Sequence, residues 1–284
     1  MFRIVTDGAA DMPPDWAETF EISVLPLNVN FGEEGYTQGP GFTNADFYRM
    51  VREKKIIPKT SLPSIGQIKA FYRSIAQAGD TILSIHISSR LSGTYSTVET
   101  AARELVGEFK IIAFDSLAGS AAQAFLAREA RRMEQAGEAL PDILARLESI
   151  RRRIAIVFTL DTLEYAYLSG RIGALQSLIA AALKVKPIIV LREGLLDIAD
   201  RVRTRQRSID HVMRRLQERF EDRLVNVAIV HAADPLTAQT ILDRVKGLLN
   251  VKEAILTDLA IPVAANLGPG AIGVIGYTVE EERS

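Results

Sequence analysis

From Phe2 to Arg153 the sequence alternates between two hydrophobic periods, and this rhythm limits the fold more than any other feature of the chain. Short apolar runs at Phe2 to Thr6, Ile22 to Val29, Thr81 to Ile87 and Phe109 to Phe114 read as strands. Helical patterns separate them: Pro13-Pro14 to Phe20, Thr43 to Lys54, a segment from Ser64, Ser96 to Leu105, Ser120 to Gln135 and Pro141 to Arg153. Two of these starts carry a capping box, Thr43 with Asp46 and Ser64 with Gln67. After Ser64, Ile65, Ile68, Phe71, Tyr72 and Ile75 recur at helical spacing and predict one buried stripe. Gly32 to Gly41 reads as a loop. The order predicts a mostly parallel sheet with helices on both faces, and in such sheets ligands sit beyond the carboxyl ends of the strands. Asp7, Ser88 and Asp115-Ser116 fall at such ends.

The rhythm changes after Arg153. Ile154 to Leu160 and Pro187 to Leu191 read as strands, with a hairpin through Glu193-Gly194 to Leu195–Ala199 and Val202. A helical run, Leu163 to Leu168, lies between them. An amphipathic helix, Ser208 to Phe220, precedes a strand at Leu224 to Val230, a helix at Pro235 to Leu249 and strands at Val251 to Thr257 and Ala271 to Tyr277. At 284 residues, one large or two medium domains are expected. A boundary near Arg153 gives two α/β domains, residues 1–153 with a mostly parallel sheet and 154–284 with a mixed sheet.

Charge and cysteine content narrow the partners. Lys and Arg total 34 against 35 for Asp and Glu, so nothing electrostatic favours nucleic acid or an anionic membrane. The chain has no cysteine, which removes disulfide and thiolate chemistry and fits a cytoplasmic location. The start reads as a strand rather than a signal segment, and no apolar run reaches membrane-spanning length. With three histidines and no cysteine, no metal or other cofactor is expected.

Three polar strings are built to meet one anion: Thr60-Ser61-Leu62-Pro63-Ser64, Ile87-Ser88-Ser89-Arg90-Leu91-Ser92-Gly93-Thr94-Tyr95 and Gly268-Pro269-Gly270. The second joins an apolar strand to a helix, where unpaired N–H groups and the helix dipole favour negative charge. Neither G-x-G-x-x-G nor the P-loop pattern occurs, so neutral donors must hold the anion. Each string has a plainer reading: a helix cap, a proline-containing helix entry and a tight turn. His86 shares a strand face with Ser84 and Ser88 and raises the alternative of a serine-dependent hydrolase, or a phospho-substrate transferase, using Ser88, Ser89 or Ser92. No G-x-S-x-G elbow supports it. Arg201, Arg203, Arg205 and Arg207 alternate, which predicts a shared strand face, either solvated or used for docking.

In order along the chain, these strings resemble the DegV family of fatty-acid-binding proteins, also called FakB. The resemblance takes in Ile4-Val5-Thr6-Asp7, the first two strings, Asp115-Ser116, Leu163-Glu164-Tyr165, Gly170-Arg171-Ile172-Gly173, Lys186-Pro187-Ile188, Arg201-Val202-Arg203 and Gly268-Pro269-Gly270. It implies two α/β domains with a long-chain fatty acid between them and its carboxylate gripped by Thr60 and Ser92. Ser61, Gly93, Thr94, Asn266 and Gly268 complete the implied ligand site. It also implies a carrier rather than a catalyst: a separate fatty acid kinase makes the acyl phosphate that enters phospholipid synthesis, with Arg171 and Arg203 as docking positions. Leu175 to Leu183 offers apolar wall, or an ordinary core helix. Two departures stand out: Gly8 where the family carries Ser, and Asn266 where it carries His.

Overall fold

The computed structural model describes residues 1–172 and 185–280. The first half runs β1 (Phe2–Asp7), α1 (Trp16–Thr19), β2 (Ile22–Leu25), β3 (Asn28–Phe31), β4 (Glu34–Thr37), α2 (Asn44–Lys54) and β5 (Lys59–Ser61). It continues α3 (Ile65–Ile75), β6 (Thr81–His86), α4 (Thr94–Glu104), β7 (Lys110–Asp115), α5 (Ala121–Gln135) and α6 (Leu140–Arg153). The four longer-range strands pair in parallel in the order β2-β1-β6-β7. Strand alternation sorts the sheet's two faces. Val5 and Ile82 meet Ile68 and Tyr72 of α3 and Val98 of α4, while Ile4, Leu83 and Ile85 meet the alanine-rich face of α5. Both predicted capping boxes form, at Thr43 and Ser64.

The expected single strand Ile22 to Val29 is two strands. Pro26 lies at the break, where the missing N–H and fixed φ interrupt a ladder. After it, β3 leaves the parallel sheet and becomes the centre of a small antiparallel sheet, β4-β3-β5. The glycine-rich loop therefore contains a hairpin, with Gly32 at φ +64 supplying its turn.

The second half runs β8 (Ala155–Thr159), α7 (Glu164–Ser169), β9 (Lys186–Arg192), β10 (Leu195–Val202), α8 (Arg205–Phe220), β11 (Val225–His231), α9 (Pro235–Leu248), β12 (Val251–Asp258), α10 (Ile261–Leu267) and β13 (Ile272–Thr278). Its six strands form one mixed sheet, β10-β9-β8-β13-β11-β12, in which β11 and β12 are parallel and the other neighbours antiparallel. One face, with Val157, Val190, Val227 and Val274, packs on α8 and α9. The other, with Ile156, Phe158, Val230 and Ile275, turns toward the first half. Arg201 lies on β10, but Thr204 caps α8 and places Arg205 and Arg207 in its first turn. The alternating arginines therefore share no strand face. Helix α10 escaped the sequence reading because Ile261 to Leu267 is nearly all apolar and shows no amphipathic period.

Asp11 ties the halves together. Its carboxyl accepts the Ser120 hydroxyl from the start of α5 and the Ala260 N–H (2.6 Å) from the start of α10. Burial, with the Asp258 charge adding to it, pushes the Asp11 carboxyl up to about 7 against those two hydrogen bonds. The native protein then keeps a proton that the unfolded chain releases near 3.8. That contribution to stability is complete below the unfolded value and is lost as pH rises toward 7. Between about pH 4 and 7 the melting temperature of Asp11→Asn should therefore fall less steeply than that of the native protein, measured across a pH series. Parallel curves would show that Asp11 holds no such proton.

Candidate ligand-binding cavity

The carboxyl ends of β1 and β6 are fixed by one buried carboxylate. Asp7 accepts the Ala9 N–H (3.0 Å), the Ile87 N–H (3.0 Å) and a contact from His86 Nδ1 (2.9 Å). Burial alone would raise this carboxyl, but His86 and the two N–H groups together hold it below the ordinary carboxylate value. His86 Nε2 meets Ser84 Oγ at 2.7 Å, and Ser84 Oγ meets Tyr72 OH at 2.8 Å. Asp7, Tyr72, Ser84 and His86 are all fully buried. The Ser-His-Asp order looks like a hydrolase relay, yet it faces no cavity and its serine is shared with a tyrosine.

Above this relay the chain turns into α4. The Leu91 and Ser92 N–H groups donate to Ser88 O, and the Ser88 hydroxyl donates to Gly194 O (2.8 Å) on the β9–β10 hairpin. Arg90 reaches the same hairpin through Glu193 O. Ser92 Oγ meets Thr94 Oγ1 at 2.9 Å and accepts the Thr94 N–H. A Cβ on Gly93 would lie 2.8 Å from Leu62 Cδ1, so the end of β5 and this turn are in close contact. The first two polar strings are thereby neighbours in space. None of these serine hydrogen bonds runs to a histidine or carboxylate that could serve as its base.

Between this turn and the inner face of the six-stranded sheet lies a cavity of about 190 Å³. At roughly 10–15 Å³ per water-sized group it has room for on the order of a dozen of them. Its walls are mostly aliphatic. Cross-strand pairs Leu191–Leu196, Ile156–Ile275 and Phe158–Gly273 supply the sheet side, with Val230 beside Gly273. From β10 to β11 this wall crosses four strand spacings, about 19 Å. Ala9 and Ile87 close it where β1 and β6 end, between the two directions of crossover in the parallel sheet.

The polar lining gathers most of the expected residues. Thr60, Ser61, Ser92 and Asn266 line the cavity, and so does Arg171, which is also exposed. Ser120 lines it as well, bringing the Asp11 tie to the wall. Gly93 and Thr94 stand behind Ser92 rather than in the lining, with Thr94 fully buried. Gly268 is not in the lining either. Its φ is +80 and a Cβ there would lie 2.7 Å from the Tyr165 ring, while one on Gly270 would meet Asp161, so Gly-Pro-Gly is a turn packed on α7 and its preceding loop. Arg203 lies off the cavity between β10 and α8. Leu175 to Leu183 and Gly173 lie outside the described residues.

Both departures from the family pattern have a local account. A Cβ on Gly8 would fall 1.9 Å from Gln38 Oε1, so Gln38 fills the space a serine would need. Asn266 Nδ2 donates to Pro262 O (2.7 Å) within α10, which commits one of its two amide hydrogens before any ligand arrives. Sequence reasoning missed the wall itself, because β8, β9 and β13 are apolar on both faces, so their sequence does not tell a residue that borders a cavity from ordinary core. Among the described residues no group of three His, Cys, Asp or Glu side chains is placed to hold a metal, and no helix is long and apolar enough to cross a membrane.

A family model described as uncharacterised protein, DegV family, matches residues 1–279. Protein DegV of Bacillus subtilis (strain 168) is 30% identical over 273 residues, 95% of this chain and 97% of that one. Two solved structures superpose over nearly the whole chain. One, a DegV family protein from Thermus thermophilus reported with fatty acid binding, has a TM-score of 0.88 at 30% identity and covers 98% of this chain and 99% of its own. The other, a stearic acid-binding protein from Eubacterium ventriosum, has a TM-score of 0.89 at 26% identity and covers 98% of both chains. Matched from end to end in sequence and fold, the chain belongs to the DegV family.

Proposed function

We propose that this protein binds one long-chain fatty acid in the cavity between its halves, residues 1–153 and 154–284, and carries it without catalysing its chemistry. The observation that supports this most is an aliphatic cavity whose lining includes Thr60, Ser92 and Arg171, with the Ser61 hydroxyl turned away to Asn30. Such a site suits an amphiphile with one anionic head and a long apolar tail. Burying about 15 methylenes at roughly 0.8 kcal/mol each yields about 12 kcal/mol before association costs. A carboxylate entering this space needs donors, since an unpaired buried charge is strongly disfavoured. Thr60 and Ser92 grip it, Ser61 and Asn266 border it, and the Gly93–Thr94 backbone opens the helix whose positive end faces it. The fatty acid bound by the relatives from Thermus thermophilus and Eubacterium ventriosum supports the same ligand class.

A separate fatty acid kinase phosphorylates the bound carboxylate, and the acyl phosphate enters phospholipid synthesis in the cytoplasm. Arg171, exposed, in the cavity lining and with its guanidinium donating to Ser169 O, serves as a docking position for the kinase. Arg203, exposed and away from the lining, serves docking as well. A hydrolase reading finds no support in the hydrogen bonds of Ser88 and Ser92.

Delipidated protein should melt lower than protein as purified and recover on adding fatty acid, because a ligand bound only by the folded state adds about 2.7 kcal/mol at a hundredfold excess over Kd. Failure to recover with both saturated and unsaturated chains would falsify the ligand assignment. Thr60→Ala and Ser92→Ala should each weaken fatty-acid binding by roughly 1–3 kcal/mol, read by displacement of a fluorescent fatty acid. Arg203→Glu should leave that affinity unchanged while slowing acyl-phosphate formation by an added fatty acid kinase. Unchanged phosphorylation by Arg203→Glu removes the docking role.

A further inference from the structure

Asp11 is a buried carboxyl outside the cavity lining, yet it stands one hydrogen bond behind the wall on two sides. It accepts the Ser120 hydroxyl and the Ala260 N–H, and Ser120 lines the cavity. Ala260 opens α10, whose Pro262, Val263, Asn266 and Leu267 line it too. Ser120 sits at φ +58 and ψ −146, a backbone region that favours glycine. Its N–H donating to Ala9 O and its hydroxyl donating to Asp11 hold it there. Among the described residues no Lys or Arg pairs with Asp11, and the charge that acts on its carboxyl is that of Asp258 at the end of β12. Tyr48 of α2 faces the same two carboxyls, and burial pushes its hydroxyl up, so it stays neutral. His231 Nδ1 of β11 lies 2.9 Å from Asp258 Oδ1.

We propose that Asp11 links fatty-acid binding to proton uptake: filling the cavity drives a proton onto its carboxyl, so the protein binds more tightly at acid than at alkaline pH. The inference rests on the fatty-acid reading above and adds a regulation to that site. An acyl chain against Ser120 puts hydrocarbon where solvent would otherwise reach, and burial of this kind disfavours the charged form of a carboxyl. The fatty-acid carboxylate brings a further negative charge into the same low-dielectric space. Both effects act in one direction. Burial already pushes the Asp11 carboxyl up to about 7, so near neutral pH the empty protein holds it part-protonated. Binding that raises this value further leaves the bound state holding more proton than the free state. Affinity then falls as pH rises through the free value and levels off above the bound one.

The test measures affinity for cis-9-octadecenoic acid by displacement of a fluorescent fatty acid from about pH 6 to about pH 9. Asp11→Asn keeps an acceptor for the Ala260 N–H and cannot ionise. Dividing native affinity by that of Asp11→Asn at each pH cancels the titration of the ligand itself. The ratio should fall by roughly tenfold across the range, the factor for a carboxyl raised by about one pH unit on binding. Calorimetry in buffers of different ionisation heat should show the native protein taking up protons on binding near neutral pH. Should Asp11→Asn fail to fold, Asp258→Asn, which removes the like charge from a partly exposed side chain, should move that uptake to lower pH. A flat ratio, or an uptake profile unmoved by Asp258→Asn, overturns the proton link and leaves the fatty-acid reading standing. Native protein that binds no fatty acid at any pH overturns both.

Discussion

The hydrogen bonds of Asp7 are the constraint on which the rest of the ligand-facing architecture hangs. A parallel sheet leaves the carboxyl ends of its strands as loops, and loops that line a cavity must be held in place without filling it. One carboxylate does this by taking the backbone N–H of Ala9 beyond β1 and of Ile87 beyond β6. Both residues line the cavity. The His86–Ser84–Tyr72 chain carries the restraint through the sheet to α3. A catalytic-looking order of groups is thus fully used in fixing the backbone, as expected for buried polar groups that must all find partners.

Asp11, four residues further along the same loop, has the opposite electrostatic character. Burial raises both carboxyls, but Asp7 has a histidine beside it that overcomes this, whereas on Asp11 burial outweighs its two hydrogen bonds and the Asp258 charge adds to it. The first is held low and the second is pushed up to about 7. The difference suits their positions. Asp7 works within the parallel sheet, while Asp11 joins α5 of the first half to α10 of the second. Other ties span the same junction: Ser88 and Arg90 to the β9–β10 hairpin, and Arg128, stacked over Trp16 at 4.3 Å, to Glu253 of β12. The tie through Asp11 is the one among these whose charge changes near neutral pH.

The cavity follows from a sheet with two apolar faces. Helices α8 and α9 fill one, so closely that a Cβ on Gly276 of β13 would meet the Phe220 ring of α8 at 3.1 Å. The other is covered by the first half of the chain: α5 and α6 pack on part of it, with Phe125 against Tyr277, and loops and helix starts meet the rest. Loop backbone brings N–H groups and hydroxyls with it, so the gap is aliphatic on the sheet side and mixed on the turn side, where Thr60, Ser92 and Ser120 stand among Leu27, Leu62 and Leu91. That asymmetry matches an amphiphile.

Much of the fold is legible in the sequence. Capping boxes at Thr43 and Ser64, the parallel alternation of the first half and the mixed second sheet all follow from local signals: periodicity and side chains that satisfy nearby N–H groups. The split at Pro26, helix α10 and the placement of Arg205 and Arg207 on a helix were not legible, because they depend on which neighbour a segment finds. The hydroxyl strings were legible as polar turns, since a strand-to-helix turn carries its unpaired donors wherever it goes. Which of their members face the cavity was settled by packing: Leu62 against Gly93 puts Ser92 forward and Thr94 behind, and Tyr165 against Gly268 takes Gly-Pro-Gly out of the lining. The sequence alone determined the types of element and the chemistry on offer at their ends, because those arise within a few residues. Only tertiary structure decided that an apolar strand face would border empty space rather than another side chain, because a strand apolar on both faces reads as buried without saying what each face meets.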